Sequence, residues 1–117
     1  MSTTKERRQH VRQLRDERVV VQFVSSTYDK LPAGTVVRCT TKDVSPQGVR
    51  IQLDRQLPEG FLLELCVEIS DHPGSFFLAG EVKWCRKLAE GKRNLVGVEL
   101  RERQTDDFKL WQKALER

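Results

Sequence analysis

The sequence has little of what catalysis needs. Only two of its 117 residues are histidine, His10 and His72, and each lies far in sequence from any cysteine pair. The three cysteines, Cys39, Cys66 and Cys85, form no C-x-x-C spacing, and their number is odd. This argues against a zinc ligand set and against a closed disulfide framework, and leaves reduced, mostly buried thiols as expected of a cytoplasmic protein. The seven glycines make no P-loop and no dinucleotide-binding pattern. The acid pair Asp106-Asp107 is explained by a helix start. We therefore expect no enzyme, no catalytic residue, no metal and no cofactor.

Long apolar runs are also missing. Nothing approaches the roughly 18 apolar residues of a membrane span, and the N-terminus lacks the apolar stretch of a secretory signal. Aromatics are sparse at 7%. A surface of stacked bases along a nucleic-acid strand is disfavoured for that reason.

What is present is an uneven charge. The first 18 residues hold six Lys/Arg (Lys5, Arg7, Arg8, Arg12, Arg15, Arg18) against three acids. That segment accounts for +3 of the net +4. A local cationic arm implies an anionic partner. We read residues 1–17 as a flexible basic arm, because Met1, Val11 and Leu14 supply almost no apolar surface. A solvent-facing helix is the competing form, with Arg8, Arg12 and Arg15 on one face at i, i+4 and i+7.

From Arg18 onward the period is two. Arg18–Val24, Thr35–Thr41, Gly48–Leu53, Phe61–Ile69, Phe76–Cys85 and Asn94–Leu100 read as strands. The clearest is Gly48–Leu53, with Val49, Ile51 and Leu53 against Arg50 and Gln52. Turn residues fill the gaps at 25–34, 42–47, 57–60, 71–74 and 90–92. In the fifth strand Val82 and Trp84 are expected to point inward. Near the end the period changes. Thr105-Asp106-Asp107 offers a cap and acids for a helix start. Phe108, Trp111, Ala114 and Leu115 follow at helical spacing. The expectation is an all-β fold with a short C-terminal helix at about 104–116. It is a six-stranded antiparallel, Greek-key-like β-barrel over residues 18–117.

Two stretches combine chemistry with spacing. Arg8-x-x-x-Arg12 lies just ahead of the first long strand. Asp43-x-Ser45-x-x-Gly48 follows the second, and Pro46 bends the chain within it. Taken alone, the second stretch is ordinary turn composition. In this order, around six strands, they resemble the paired R-x-x-x-R and D/N-x-S-x-x-G signature of the PilZ domain family. Gly80-Glu81-Val82-Lys83-Trp84 and Val96-Gly97-Val98-Glu99-Leu100 resemble that family's fifth and sixth strands. The resemblance covers residues 7 to 115.

The resemblance implies a receptor for the bacterial second messenger cyclic di-GMP. By it, Arg8 and Arg12 take guanine edge and phosphate, Asp43 a base edge, and Ser45 a phosphate or base. Gly48 gives steric room. The chemistry is coherent, because guanidinium is planar, always charged and forked, and matches both phosphate and the guanine O6/N7 edge. Arg7 stands at a position that the resemblance links to ligand number, so two cyclic di-GMP molecules per protomer are an expectation. Arg50, outward on the next strand, is a peripheral candidate for bordering the ligand, with a solvated strand charge as the competing reading. The arm is expected to order over the ligand and to signal to an unidentified protein effector, the protein being a monomer or weak homodimer. The alternatives are a barrel binding RNA or single-stranded DNA through its arm, and a PilZ-like adaptor without ligand.

Overall fold

The structure, a computed structural model, describes residues 12–24, 31–88, 92–103 and 107–115. Arg7 and Arg8 lie outside the described residues. So do Thr105, Asp106 and most of the turns expected at 25–34 and 90–92.

Seven strands are formed among the described residues: β1 (Gln13–Leu14), β2 (Arg18–Phe23), β3 (Val36–Ser45), β4 (Gly48–Leu53), β5 (Leu62–Glu68), β6 (Ser75–Lys87) and β7 (Asn94–Arg101). One helix, α1 (Phe108–Leu115), follows them. All pairings are antiparallel. The order is β1-β3-β2-β5-β6-β7-β4, and a further β3–β4 pairing closes β2–β7 into a six-stranded barrel. β5 lies beside β2, so β5-β2-β3-β4 is a Greek key. Closure removes the edges that an open sheet would expose. No helix among the described residues is long and apolar enough to cross a membrane.

Alternation builds the core. Val19, Val21 and Phe23 of β2 point inward, as do Val49, Ile51 and Leu53 of β4 and Leu63, Leu65 and Val67 of β5. Val96, Val98 and Leu100 of β7 complete the ring. Each side chain buried in this way contributes roughly 1.5–3 kcal/mol. The C-terminal helix seals one end. Its buried Trp111 meets Phe76 edge-on, with ring centroids 5.4 Å apart. Asp107 ties the start of α1 to β6, accepting from the Phe77 N–H at 2.8 Å and donating its own N–H to the Phe77 carbonyl at 2.9 Å.

Three features differ from the sequence reading, and the ladder explains each. First, β3 runs on to Ser45 through a stretch expected to be a turn. Val44 is held on both sides, by Gln13 of β1 and Val49 of β4, which overrides the turn composition. The turn shrinks to Pro46-Gln47. Second, the end of the expected arm lies against the barrel. β1 and β2 are one interrupted strand along β3, broken at residues 15–17 opposite an irregularity between Thr41 and Asp43. Arg12 and Arg15 therefore share no helix face. Third, Trp84 points outward. The β6–β7 register shifts between Val82 and Trp84, leaving Lys83 as the extra residue. A single inserted residue turns every later side chain to the other face, so Val82 is buried while Trp84 is 38% exposed.

Candidate functional site

The site starts from the β3–β4 register, which sets Asp43 directly opposite Arg50. β1 pairs Leu14 with Asp43 and Gln13 with Val44, bringing Arg12 to the same corner. Arg12 Nη1 donates to Asp43 Oδ1 at 2.7 Å, and Arg50 Nη2 lies 2.6 Å from Oδ2. The Asp43 side chain is only 3% exposed, whereas those of Arg12 and Arg50 are about a third exposed. One buried carboxylate thus aims two half-exposed guanidiniums. Each bond is short and charge-assisted. Arg50 Nε is buried and has no hydrogen-bond partner.

Ser45 and Gly48 close the adjoining turn. The Ser45 hydroxyl accepts from the Gly48 N–H at 3.1 Å and donates to the Gly48 carbonyl at 3.2 Å. Ser45 is buried, and its own carbonyl accepts the Trp111 indole N–H. Gly48 has no positive φ, so its role is space. A methyl group there would stand 2.8 Å from the Val98 carbonyl oxygen and 3.4 Å from Arg12 Nη2. The absent side chain is the seat of the Arg12 guanidinium.

A cleft of about 320 Å³ opens beside this corner, lined by Arg12, Ser45, Gly48, Lys83, Trp84 and Glu99 among others. Trp84 is its apolar wall. It lies over Gly97, its ladder partner, so closely that a Cβ at position 97 would fall 2.3 Å from the indole ring. A strand glycine marks such a close approach, and that is the one signal that pointed to Trp84. The bulge that exposes the ring has no signature in the sequence. Arg86 approaches the same ring, 5.4 Å from its centroid. Lys83 at the rim pairs with Glu99 at 3.3 Å and Glu81 at 3.5 Å.

Arg12, Asp43, Ser45, Gly48 and Arg50 are therefore brought together. A larger cleft of about 460 Å³, bordered by His72, Phe76, Leu110 and Lys113, lies against α1 and contains none of them. Chemistry rather than size selects the smaller one, because it combines an oriented arginine with an exposed aromatic face. Among the described residues no group of three or more His, Cys, Asp or Glu could hold a metal.

Comparison with known proteins agrees with the barrel fold. The barrel is similar to Bacillus subtilis inhibitor of motility (MotI/DgrA), with a TM-score of 0.69 and 16% identity over 92% of this chain and 47% of that one. It is also similar to MrkH of K. pneumonia, with a TM-score of 0.61 and 17% identity over 92% of this chain and 45% of that one. The apo form of MrkH gives a TM-score of 0.62. The chain spans just under half the length of these proteins. No curated protein sequence matches it. The PilZ domain model matches residues 6–117, a span that holds both arginines of R-x-x-x-R and the whole barrel, and the chain belongs to the PilZ domain family.

Proposed function

We propose that the protein is a cyclic di-GMP receptor whose ligand enters the Arg12–Trp84 cleft. The observation that carries this reading is the corner itself: a guanidinium held by a buried carboxylate, seated on a glycine, opposite an exposed indole. The ligand offers phosphates, guanine edges and purine faces. Arg12 supplies the fork for phosphate or the O6/N7 edge. Trp84 supplies a flat surface for a base. Both Asp43 oxygens already face arginines, so Asp43 acts first as their holder, and its remaining lone pairs are what a guanine N–H would use. Ser45 and Gly48 keep the turn that admits Arg12. Arg8 closes the site from the arm, and Arg7 contacts a second ligand molecule, giving two per protomer.

Binding orders the arm over the barrel. Charge-assisted bonds to the ligand offset the conformational entropy that the basic segment loses, which makes the arm an order–disorder switch. The output is a changed surface offered to a protein effector. The similar B. subtilis protein is an inhibitor of motility, and control of motility is one output of this kind. Titration with cyclic di-GMP in competition with a single-stranded oligonucleotide tests the reading. Saturable uptake of the cyclic dinucleotide that the oligonucleotide does not displace supports it. Uptake of the oligonucleotide alone overturns it.

A further inference from the structure

The two-residue strand β1 is a weak anchor for a binding arginine. Leu14 is 87% exposed and contributes almost no burial. Yet β1 fixes where Arg12 stands. Something else must hold the chain in place at residues 13–17, and the polar contacts there converge on Arg15.

The Arg15 Nε donates to Gln13 Oε1 at 3.0 Å. Its Nη1 donates to Glu17 Oε2 at 3.0 Å and to Asp71 Oδ1 at 3.1 Å, and Nη2 reaches Asp71 Oδ2 at 3.4 Å. Its backbone N–H donates to the Lys42 carbonyl at 3.1 Å, and its carbonyl accepts from the Thr41 hydroxyl. The partners are themselves anchored. Glu17 is buried and accepts from the Ser70 N–H at 3.1 Å. Gln13 donates to the Leu115 carbonyl at the end of α1, at 3.2 Å. One guanidinium thus joins the root of the arm to the β5–β6 connection and, through Gln13, to the C-terminal helix. The hydrogen bond from Arg15 holds the Asp71 carboxyl below its ordinary value.

We propose that Arg15 is a positioning residue for the ligand site: with Glu17 and Asp71 it fixes the course of residues 13–17 along the barrel, and so the position of Arg12 three residues away. The inference rests on the cyclic di-GMP reading for its ligand and on these contacts for its mechanism. Arg15 does not line the cleft. It acts by shortening the chain that must be ordered when Arg12 engages a ligand, since each residue already fixed spares backbone entropy at binding. The β2–β7 barrel closes without β1. Asp71 is well exposed, and exposed pairs add little to global stability.

The test compares wild type, Arg15→Gln, Asp71→Asn and the double variant, by amide hydrogen exchange without ligand and by calorimetry with cyclic di-GMP. Arg15→Gln is expected to speed exchange of the residue-15 amide, with β2–β5 amides unchanged. It should also weaken binding by about five- to tenfold at unchanged stoichiometry. Asp71→Asn should give a smaller loss, and the double variant less than the two losses combined. Unchanged exchange at residue 15 in Arg15→Gln overturns the proposal, and so does exchange that rises equally across the barrel. If Arg15→Gln fails to fold, Asp71→Asn carries the same comparison, and unchanged residue-15 exchange in it overturns the proposal. If wild type takes up no cyclic di-GMP, the receptor reading falls, and the exchange data still decide whether Arg15 positions the arm.

Discussion

Trp111 of α1 donates its indole N–H to the carbonyl of Ser45, 2.9 Å away in the buried end of the barrel. The C-terminal helix is thereby bonded to the strand that carries Asp43 and Ser45. Trp111→Phe keeps an aromatic ring against Phe76 but removes the indole donor from that buried carbonyl. A buried unsatisfied acceptor costs about 1–3 kcal/mol. Thermal unfolding should shift down by roughly 4 °C or more for each kcal/mol in a domain near this size. An unchanged Tm would mean that the bond contributes nothing.

Gly48 is defined by space, not by φ. In Gly48→Ala the methyl meets a backbone carbonyl that cannot step aside and crowds the Arg12 guanidinium. Overpacking of this kind costs about 1–3 kcal/mol. The expected outcome is a lower Tm together with weakened ligand binding. The same change at Gly34, where nothing lies within 4 Å but φ is +86°, should cost stability without touching the ligand.

Trp84 and Trp111 make opposite fluorescence predictions. Trp84 is exposed in the cleft, and Trp111 is wholly buried. Cyclic di-GMP should quench the emission of Trp84 by stacking. Trp84→Ala should abolish the quenching and weaken binding by about 1–3 kcal/mol, the range for one base–aromatic stack. Its Tm should change little, because the ring lies outside the barrel core. Ligand quenching that survives in Trp84→Ala would remove Trp84 from the site.

Cys39 gives the chain an alkaline signature. Burial, aided by the charge of Asp54, pushes its thiol from 9.0 up to about 12. The unfolded chain releases that proton first. Its contribution to stability is therefore complete below pH 9 and declines as pH rises from about 9 towards 12. Cys39→Ala should flatten the fall of stability across that window relative to wild type. Alkylation of Cys39 at pH 9 should be slow in the folded protein and fast in denaturant. Equal rates in the two would contradict the raised value.

The barrel was legible wherever alternation was uninterrupted. β2, β4, β5 and β7 follow directly from their apolar period, because one face of each is buried. The motif residues were legible as types, and the register explains why they meet: Asp43 stands across from Arg50, and Ser45 across from Gly48. What escaped depends on distant partners. Lys42 to Ser45 has the composition of a turn, yet two flanking strands hold it extended. Trp84 obeys alternation until one inserted residue turns it outward. Arg15 looked like one more solvated charge, and its four side-chain bonds come from residues 2 and 56 positions away. Local sequence carries propensity and period, but not the bulges and cross-chain contacts that re-aim single side chains.

The most direct measurement is calorimetric titration of wild type and Arg12→Ala with cyclic di-GMP. Wild type should bind saturably, with two ligands per protomer. Arg12→Ala should lose about ten- to a hundredfold in affinity, the value of one or more charge-assisted bonds at about 1.5–3 kcal/mol each. A one-to-one stoichiometry would contradict the paired ligand, and equal affinity in wild type and Arg12→Ala would contradict the site itself.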